Sequence, residues 1–181
     1  MAVYVALLRG INVGGHKRIP MGRLRKSLEA LGFEQVKTYI QSGNVVFKTA
    51  KLSPAGLSKR IEESILRDFG HSVSVISRTL EEMGKTIETN PFLKKRGIDP
   101  AKLHVMFLPE SPVPSALKQF EGLTAAPDQS RCLGKEIYLY LPNGVGESLA
   151  NNPLERRLLK RGTIRNWRTV SNLYQMCLDC G

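Results

Sequence analysis

The order of six short segments in the first 78 residues leaves this chain few folds to choose from. Ala2–Leu8 is a continuous apolar run of strand formers, the pattern of a central strand covered on both faces. From Pro20, apolar residues recur at Met21, Leu24, Leu28 and Leu31, one face of a helix that Gly32 ends. Two strand-like runs follow, Gln35–Gln41 and Asn44–Lys48. The Ser42-Gly43-Asn44 string between them is a hairpin signal, because Gly43 tolerates the positive φ of a tight turn. Ser53-Pro54 opens a second helix with the stripe Leu57, Ile61, Ile65 and Phe69, and Gly70 stops it before the strand Val73–Ser77. The order is β-α-β-β-α-β. With right-handed crossovers it predicts a four-stranded antiparallel sheet with both helices on one face, the ferredoxin-like arrangement.

The rest of the chain repeats that order more loosely and without sequence self-similarity. Thr79-Leu80-Glu81-Glu82 reads as a capping box opening a connecting helix, which Asn90-Pro91 ends. Residues 91–100, with Lys94-Lys95-Arg96, Gly97 and Pro100, read as a linker. Leu103–Leu108 is a strand, Ser115–Phe120 a short helix, and Ser130–Leu133 with Glu136–Leu141 a hairpin. Asn152-Pro153-Leu154-Glu155 starts a helix that Gly162 ends. Thr163–Arg165 is a short last strand, and a final helix from about Trp167 carries Trp167, Val170, Leu173 or Tyr174, and Cys177 on one face. The fold class expected is α+β, with two tandem ferredoxin-like βαββαβ subdomains. The boundaries are 1–78 for the first, 79–99 for a connecting helix and linker, and 100–181 for the second with its C-terminal helix.

Composition narrows the setting. Apolar residues make up 41% of the chain, enough for a core, and no apolar run approaches the ~20 residues that span a bilayer. Ala2–Leu8 has neither a basic residue before it nor a cleavage site after it, so a cytoplasmic location and no membrane partner are expected. Three cysteines, Cys132, Cys177 and Cys180, fit a reducing compartment rather than a disulfide framework. The net charge is +11, and residues 1–78 carry 13 Lys/Arg against 5 Asp/Glu. Such an excess favours nucleic acid or an anionic small molecule as partner, or serves solubility alone.

Five separated strings then agree in order and spacing: LLRGINVGG at 7–15, TYIQSGNVVF at 38–47, NPF at 90–92, KLHVMFL at 102–108 and TIRNWRTV at 163–170. Together they resemble a widespread bacterial domain-of-unknown-function family (family 1697). The resemblance implies a two-subdomain ferredoxin-like fold and brings no activity, cofactor or catalytic residue. Cys177 and Cys180 lie beyond its last string.

Two segments have the composition of a ligand site. Arg9-Gly10-Ile11-Asn12-Val13-Gly14-Gly15-His16-Lys17-Arg18 joins a strand to a helix, where backbone amides can cradle an anion. It misses the Walker A pattern, with His16 in place of the lysine. Arg9, Lys17 and Arg18 would supply charge, and the amides near Gly14 and Gly15 would hold oxygens. Thr163–Thr169 places Arg165 and Arg168 around the only tryptophan, Trp167, with Asn166 at a helix start, a set suited to stacking and phosphate binding. The same residues have a plainer use, with Trp167 anchoring the last helix and Asn166 capping it. Basic residues also line two helices, at Arg23, Arg25 and Lys26 and at Arg156, Arg157, Lys160 and Arg161, where a solvated face is the ordinary meaning.

Other chemistries find little purchase. The RNA-recognition module needs several strand aromatics, whereas Tyr4 and Phe47 are single. Cys177 and Cys180 end a helix instead of opening one, no metal set or serine-hydrolase elbow occurs in the sequence, and none of the aspartates Asp68, Asp99, Asp128 and Asp179 is paired. The expectation is a protein that binds an anionic ligand through Arg9, Asn12, Gly14, Gly15, Lys17, Arg18, Arg165, Asn166, Trp167 and Arg168. The alternative is an enzyme for a small anionic substrate in a cleft between the subdomains, with Asn12, Ser42 or Asn44, and Arg165 as its polar groups. A third reading is a protein-interaction subunit with an uncovered apolar sheet face.

Overall fold

A computed structural model describes residues 1–115, 126–150 and 160–181. The chain is α+β and contains two four-stranded antiparallel sheets. Two compact units are formed, residues 1–85 with 172–181, and residues 86–171. Asn172–Gly181 therefore packs with the first unit, whereas the sequence placed the whole C-terminal helix with the second.

In the first unit, β1 (Ala2–Leu8), α1 (Met21–Glu29), β2 (Glu34–Tyr39), β3 (Asn44–Thr49), α2 (Pro54–Phe69) and β4 (Val75–Thr79) follow the expected order. The sheet order is β2-β3-β1-β4, with every neighbour antiparallel, as two interleaved right-handed crossovers require. Tyr4, Ala6 and Leu8 alternate onto one face, where Leu24 and Leu28 of α1 and Leu57, Ile61 and Ile65 of α2 join them in one buried core. Both helices thus lie on the same face. Val3, Val5, Leu7, Val46 and Ile76, on the other face, are buried as well. The C-terminal residues meet β2 on that side: Asn172 Nδ2 donates to Tyr39 Oη at 2.5 Å, and Tyr39 pairs with Asn44, which pairs with Leu7. The unbroken apolar run of β1 reflects this double burial.

Local chemistry sets most of the element ends. Ser53 Oγ accepts from Gly56 N at the start of α2, and Gly70 at φ 70° closes it. Gly43 sits at φ 81°, and a Cβ there would come 2.7 Å from Leu8 Cβ, so the hairpin turn needs glycine twice over. Strand boundaries shift by a residue or two; β2, for one, ends at Tyr39 instead of Gln41. The fourth strand starts at Val75 instead of Val73, because Leu8, the last residue of β1, already pairs with Val75 and leaves residues 73–74 no strand to pair with.

The outer edge of β4 is closed by side chains. Val75 N donates to Glu62 Oε1 at 2.7 Å and Ser77 N to Ser58 Oγ at 3.0 Å, both from α2. Thr79 N donates to Glu82 Oε2 at 2.9 Å while Glu82 N donates to Thr79 Oγ1 at 3.0 Å, the capping box that opens α3 (Leu80–Glu88). Every second amide of an edge strand would otherwise face outward unpaired, an invitation to pair with another chain.

The second unit contains β5 (Leu103–Phe107), β6 (Gln129–Leu133), β7 (Glu136–Tyr140) and β8 (Thr163–Asn166), in the order β6-β7-β5-β8. This is the strand order of the first unit repeated. Met106, Leu108, Ile137, Leu139 and Leu141 form the core on one face. On the other, Tyr138 Oη donates to Thr86 O at 3.1 Å and shares a hydrogen bond with Thr89 Oγ1. Phe92 is buried and its amide donates to Asn90 Oδ1 at 3.0 Å, so the Asn90-Pro91-Phe92 string is part of the packed structure and not a free linker. Gly162 is buried against the sheet, where a Cβ would come 2.6 Å from Phe107 O. A short helix, α4 (Val145–Ala150), follows β7, and α5 (Trp167–Leu178) follows β8 directly. The helices expected at 115–120 and from Asn152 fall on residues outside those described, apart from Ser115. No helix among the described residues is long and apolar enough to cross a membrane.

Candidate functional site

The glycine-rich segment after β1 folds into a small hairpin finger. His16 N donates to Val13 O at 3.0 Å, Asn12 N donates to Lys17 O at 3.2 Å, and Val13 and His16 form an isolated antiparallel bridge. Gly14 and Gly15 occupy the two turn positions at φ 58° and 78°, the positive pair of a two-residue hairpin turn. The glycines thus serve a turn, and residues 13–18 are all exposed.

The base of the finger is fixed. Ile11 and Ile19 are buried in the first core. Asn12, at φ 55°, accepts from Ile19 N at 2.8 Å through Oδ1, while its Nδ2 donates to Ile19 O at 3.0 Å and to Gln41 O at 2.8 Å. Lys17 Nζ donates to Ser72 O at 2.6 Å, and Arg9 N donates to Ser74 O at 2.9 Å. The finger is therefore stapled to the β2–β3 turn on one side and to the segment entering β4 on the other. Asn12, offered by the sequence as a ligand group, spends its amide on this staple.

The β2–β3 turn carries Ser42 and Asn44. Asn44 is 0% exposed and its Nδ2 donates to Tyr39 O and Ser42 Oγ, both at 3.0 Å. It holds the turn from inside the sheet and is not open to a ligand. Ser42 is half-buried. Next to them Ile40 adopts φ 49° with 53% of its surface exposed. A β-branched residue in that region is strained, at a cost of about 1–3 kcal/mol.

The β8–α5 junction divides its candidates. Asn166 Oδ1 accepts from Thr169 N at 2.8 Å and caps α5. Arg168 is exposed and Trp167 half-buried. Arg165 is only 8% exposed, donating to Thr163 Oγ1 at 2.7 Å and to Ile164 O at 2.8 Å. Burial pushes its guanidinium down to about 10. Arg165, offered by the sequence as a ligand group, is therefore packed into the second unit. Arg165 pairs with Val105, so its side chain leaves the sheet on the buried face that also bears Phe107 and Tyr138.

Other parts of the molecule bear on the excluded chemistries. Tyr4 and Phe47 stack with centroids 6.0 Å apart, and Phe33 stacks on Phe47 at 4.5 Å, all inside the core. They are no platform for bases. Cys177 is buried and its thiol is pushed up to about 12 by burial, and Cys180 Sγ donates to Gln35 Oε1 at 3.2 Å. Both are free thiols, and Cys177 is a poor nucleophile. A cavity of about 280 Å³ lies between Lys59, Glu62, Glu63 and Leu66 of α2 and residues 72–74, and none of the residues singled out from the sequence lines it. The sequence reading passed over Arg78, which is 1% exposed on β4. A strand arginine directly before a helix cap, in Ser77-Arg78-Thr79 as in Ile164-Arg165-Asn166, was the available signal.

Comparison with known proteins agrees with this architecture. No curated protein matches the chain. A solved structure of the conserved bacterial protein SP0830 from Streptococcus pneumoniae is similar over 97% of this chain and 98% of its own, at 29% identity and a TM-score of 0.75. Residues 1–138 match the model of the family described as "Protein of unknown function (DUF1697)". With three quarters of its length matched and the two-sheet fold in place, the chain belongs to that family.

Proposed function

We propose that this protein binds an anionic ligand through the basic end of its first unit, and that the ligand is a nucleic acid. The observation that carries the reading is the exposed hairpin finger 13–17, anchored at its base by Asn12, which runs into Arg18 and then α1 with its exposed Arg23, Arg25 and Lys26. His16 and Arg18 have no side-chain partner among the described residues. Lys17 keeps two ammonium protons beyond the one given to Ser72 O. Residues 1–78 carry 13 basic against 5 acidic side chains, a field that attracts a polyanion.

Nucleic acid is preferred to a small phosphorylated molecule because the basic groups stand on an exposed hairpin and helix surface, whereas a small ligand is held in a concave site. In the second unit, Arg168 and Trp167 are the side chains left for a ligand once Arg165 is buried.

The test is binding of single- and double-stranded DNA and RNA by fluorescence anisotropy from low to moderate salt. Affinity is expected to fall linearly on a log–log plot, with a slope of about −0.9 per phosphate neutralised. Arg18→Ala should reduce that slope by about 1. No binding at low salt defeats the proposal.

A further inference from the structure

The basic end of the first unit also presents two aliphatic side chains that do nothing for its core. Val13 is 65% exposed at the finger tip, and Ile40 is 53% exposed in the β2–β3 turn. The loops that bear them are joined at the base, because Asn12 and Gln41, their neighbours in the chain, are linked by the 2.8 Å bond from Asn12 Nδ2 to Gln41 O. Neither conformation is one that the fold obtains cheaply. The finger tip depends on two successive glycines at positive φ, and Ile40 is a β-branched residue at φ 49°. Glycine or asparagine at position 40 would relieve that strain. A strained, exposed apolar residue on one loop and a second exposed apolar residue on the loop bonded to it, with Arg9, Lys17 and Arg18 close in the chain, is an arrangement with a use outside the molecule.

We infer that Val13 and Ile40 form an apolar wedge that enters a nucleic-acid duplex and partly unstacks a base step, while the neighbouring cations hold the phosphates; this rests on the function proposed above. The chemistry of such a partner matches the surface. A duplex alternates phosphate charge with apolar stacking gaps, and small aliphatic side chains on a rigid basic element are the groups that open such gaps. Unstacking costs least where a step is already weakened, so the wedge should favour duplexes with an unpaired base or a flexible pyrimidine–purine step over uniform stiff ones.

The experiment uses DNA and RNA duplexes carrying 2-aminopurine beside a single unpaired base, with fully paired duplexes of the same sequence as controls. Wild-type protein is expected to raise 2-aminopurine fluorescence on binding and to prefer the duplex with the unpaired base by about tenfold. Val13→Ala and Ile40→Gly should each remove most of the fluorescence rise and the preference, yet leave the salt slope unchanged. Ile40→Gly should at the same time raise the melting temperature, since glycine accepts φ 49° without strain, so loss of the signal cannot come from misfolding. Wild type that binds duplex with neither fluorescence rise nor preference overturns the wedge and leaves the nucleic-acid reading standing. Unaltered signals in both variants overturn it equally. Binding to polyglutamate with none to any duplex overturns both readings and points to an acidic protein partner.

Discussion

Arg78 and Arg165 occupy the same register position in the last strands of their own sheets. Arg78 stands opposite Val5 on β1, and Arg165 stands opposite Val105 on β5. Each is buried, each donates from NH1 to the carbonyl of the preceding residue, at 3.0 Å to Ser77 O and 2.8 Å to Ile164 O, and each directly precedes the residue that caps the next helix. The two units thus repeat a detail as well as a topology. On an edge strand, the outward carbonyl before the arginine needs a donor, and a guanidinium folded back along the strand supplies one.

Arg165→Ala is expected to destabilise the protein by about 1–3 kcal/mol, because it removes a donor from buried Thr163 and half-buried Ile164 and leaves a void. Urea denaturation measures it. A stability equal to wild type would mean that the guanidinium is dispensable to the fold.

Asp68 gives the fold an acid-sensitive lock. Its carboxylate accepts from Arg67 Nε at 2.7 Å, from Ser27 Oγ on α1 and from Ser64 Oγ at 3.3 Å. These donors, Arg67 foremost and then Ser27, hold it down at about 2. A carboxylate with a depressed folded pKa contributes stability above its unfolded value of ~4, and that contribution fades as pH falls toward 2. Wild type should therefore exceed Asp68→Asn in urea midpoint at pH 7, and the gap should close between pH 4 and 2. A gap independent of pH in that window would exclude the carboxylate as its source.

Removing the side chains that close β4 should cost the protein its edge. Ser58→Ala and Glu62→Ala each leave an outward amide of β4 without its partner, at Ser77 and Val75. The expected result is a loss of about 1 kcal/mol each, with light scattering that grows with protein concentration in the double variant. Glu62→Gln keeps an acceptor oxygen and should stay near wild type. Clear solutions of the double variant would show that something else protects this edge.

Thr79 and Glu82 form a reciprocal pair, so their loss should not add. Thr79→Ala is expected to cost about 1 kcal/mol, Glu82→Ala a similar amount, and the double variant less than the two together. Thermal unfolding of the four proteins gives the coupling. Full additivity would remove the capping box as a cooperative unit.

The strand and helix order of this chain was legible in its sequence because the signals are local. Ser53-Pro54, the Thr79–Glu82 box, Gly43 and the two apolar stripes each act within one turn of chain, and each does in the structure what its spacing implied. The unbroken apolar run of β1 even foretold burial on both faces, though not that Asn172–Gly181 would help to provide it. What the long-range contacts decided was the office of individual polar residues. The sequence placed Arg18 in a loop and Arg165 at the end of a strand, yet it offered both, like Asn12 and Asn166, to a ligand. Only the pairing of β8 with β5 turns Arg165 into a buried face, and only the approach of the β2–β3 turn converts Asn12 from a free amide into a staple. A side chain's availability to a ligand depends on which distant backbone reaches it first. That is set by sheet register and packing, which no stretch of neighbouring residues encodes.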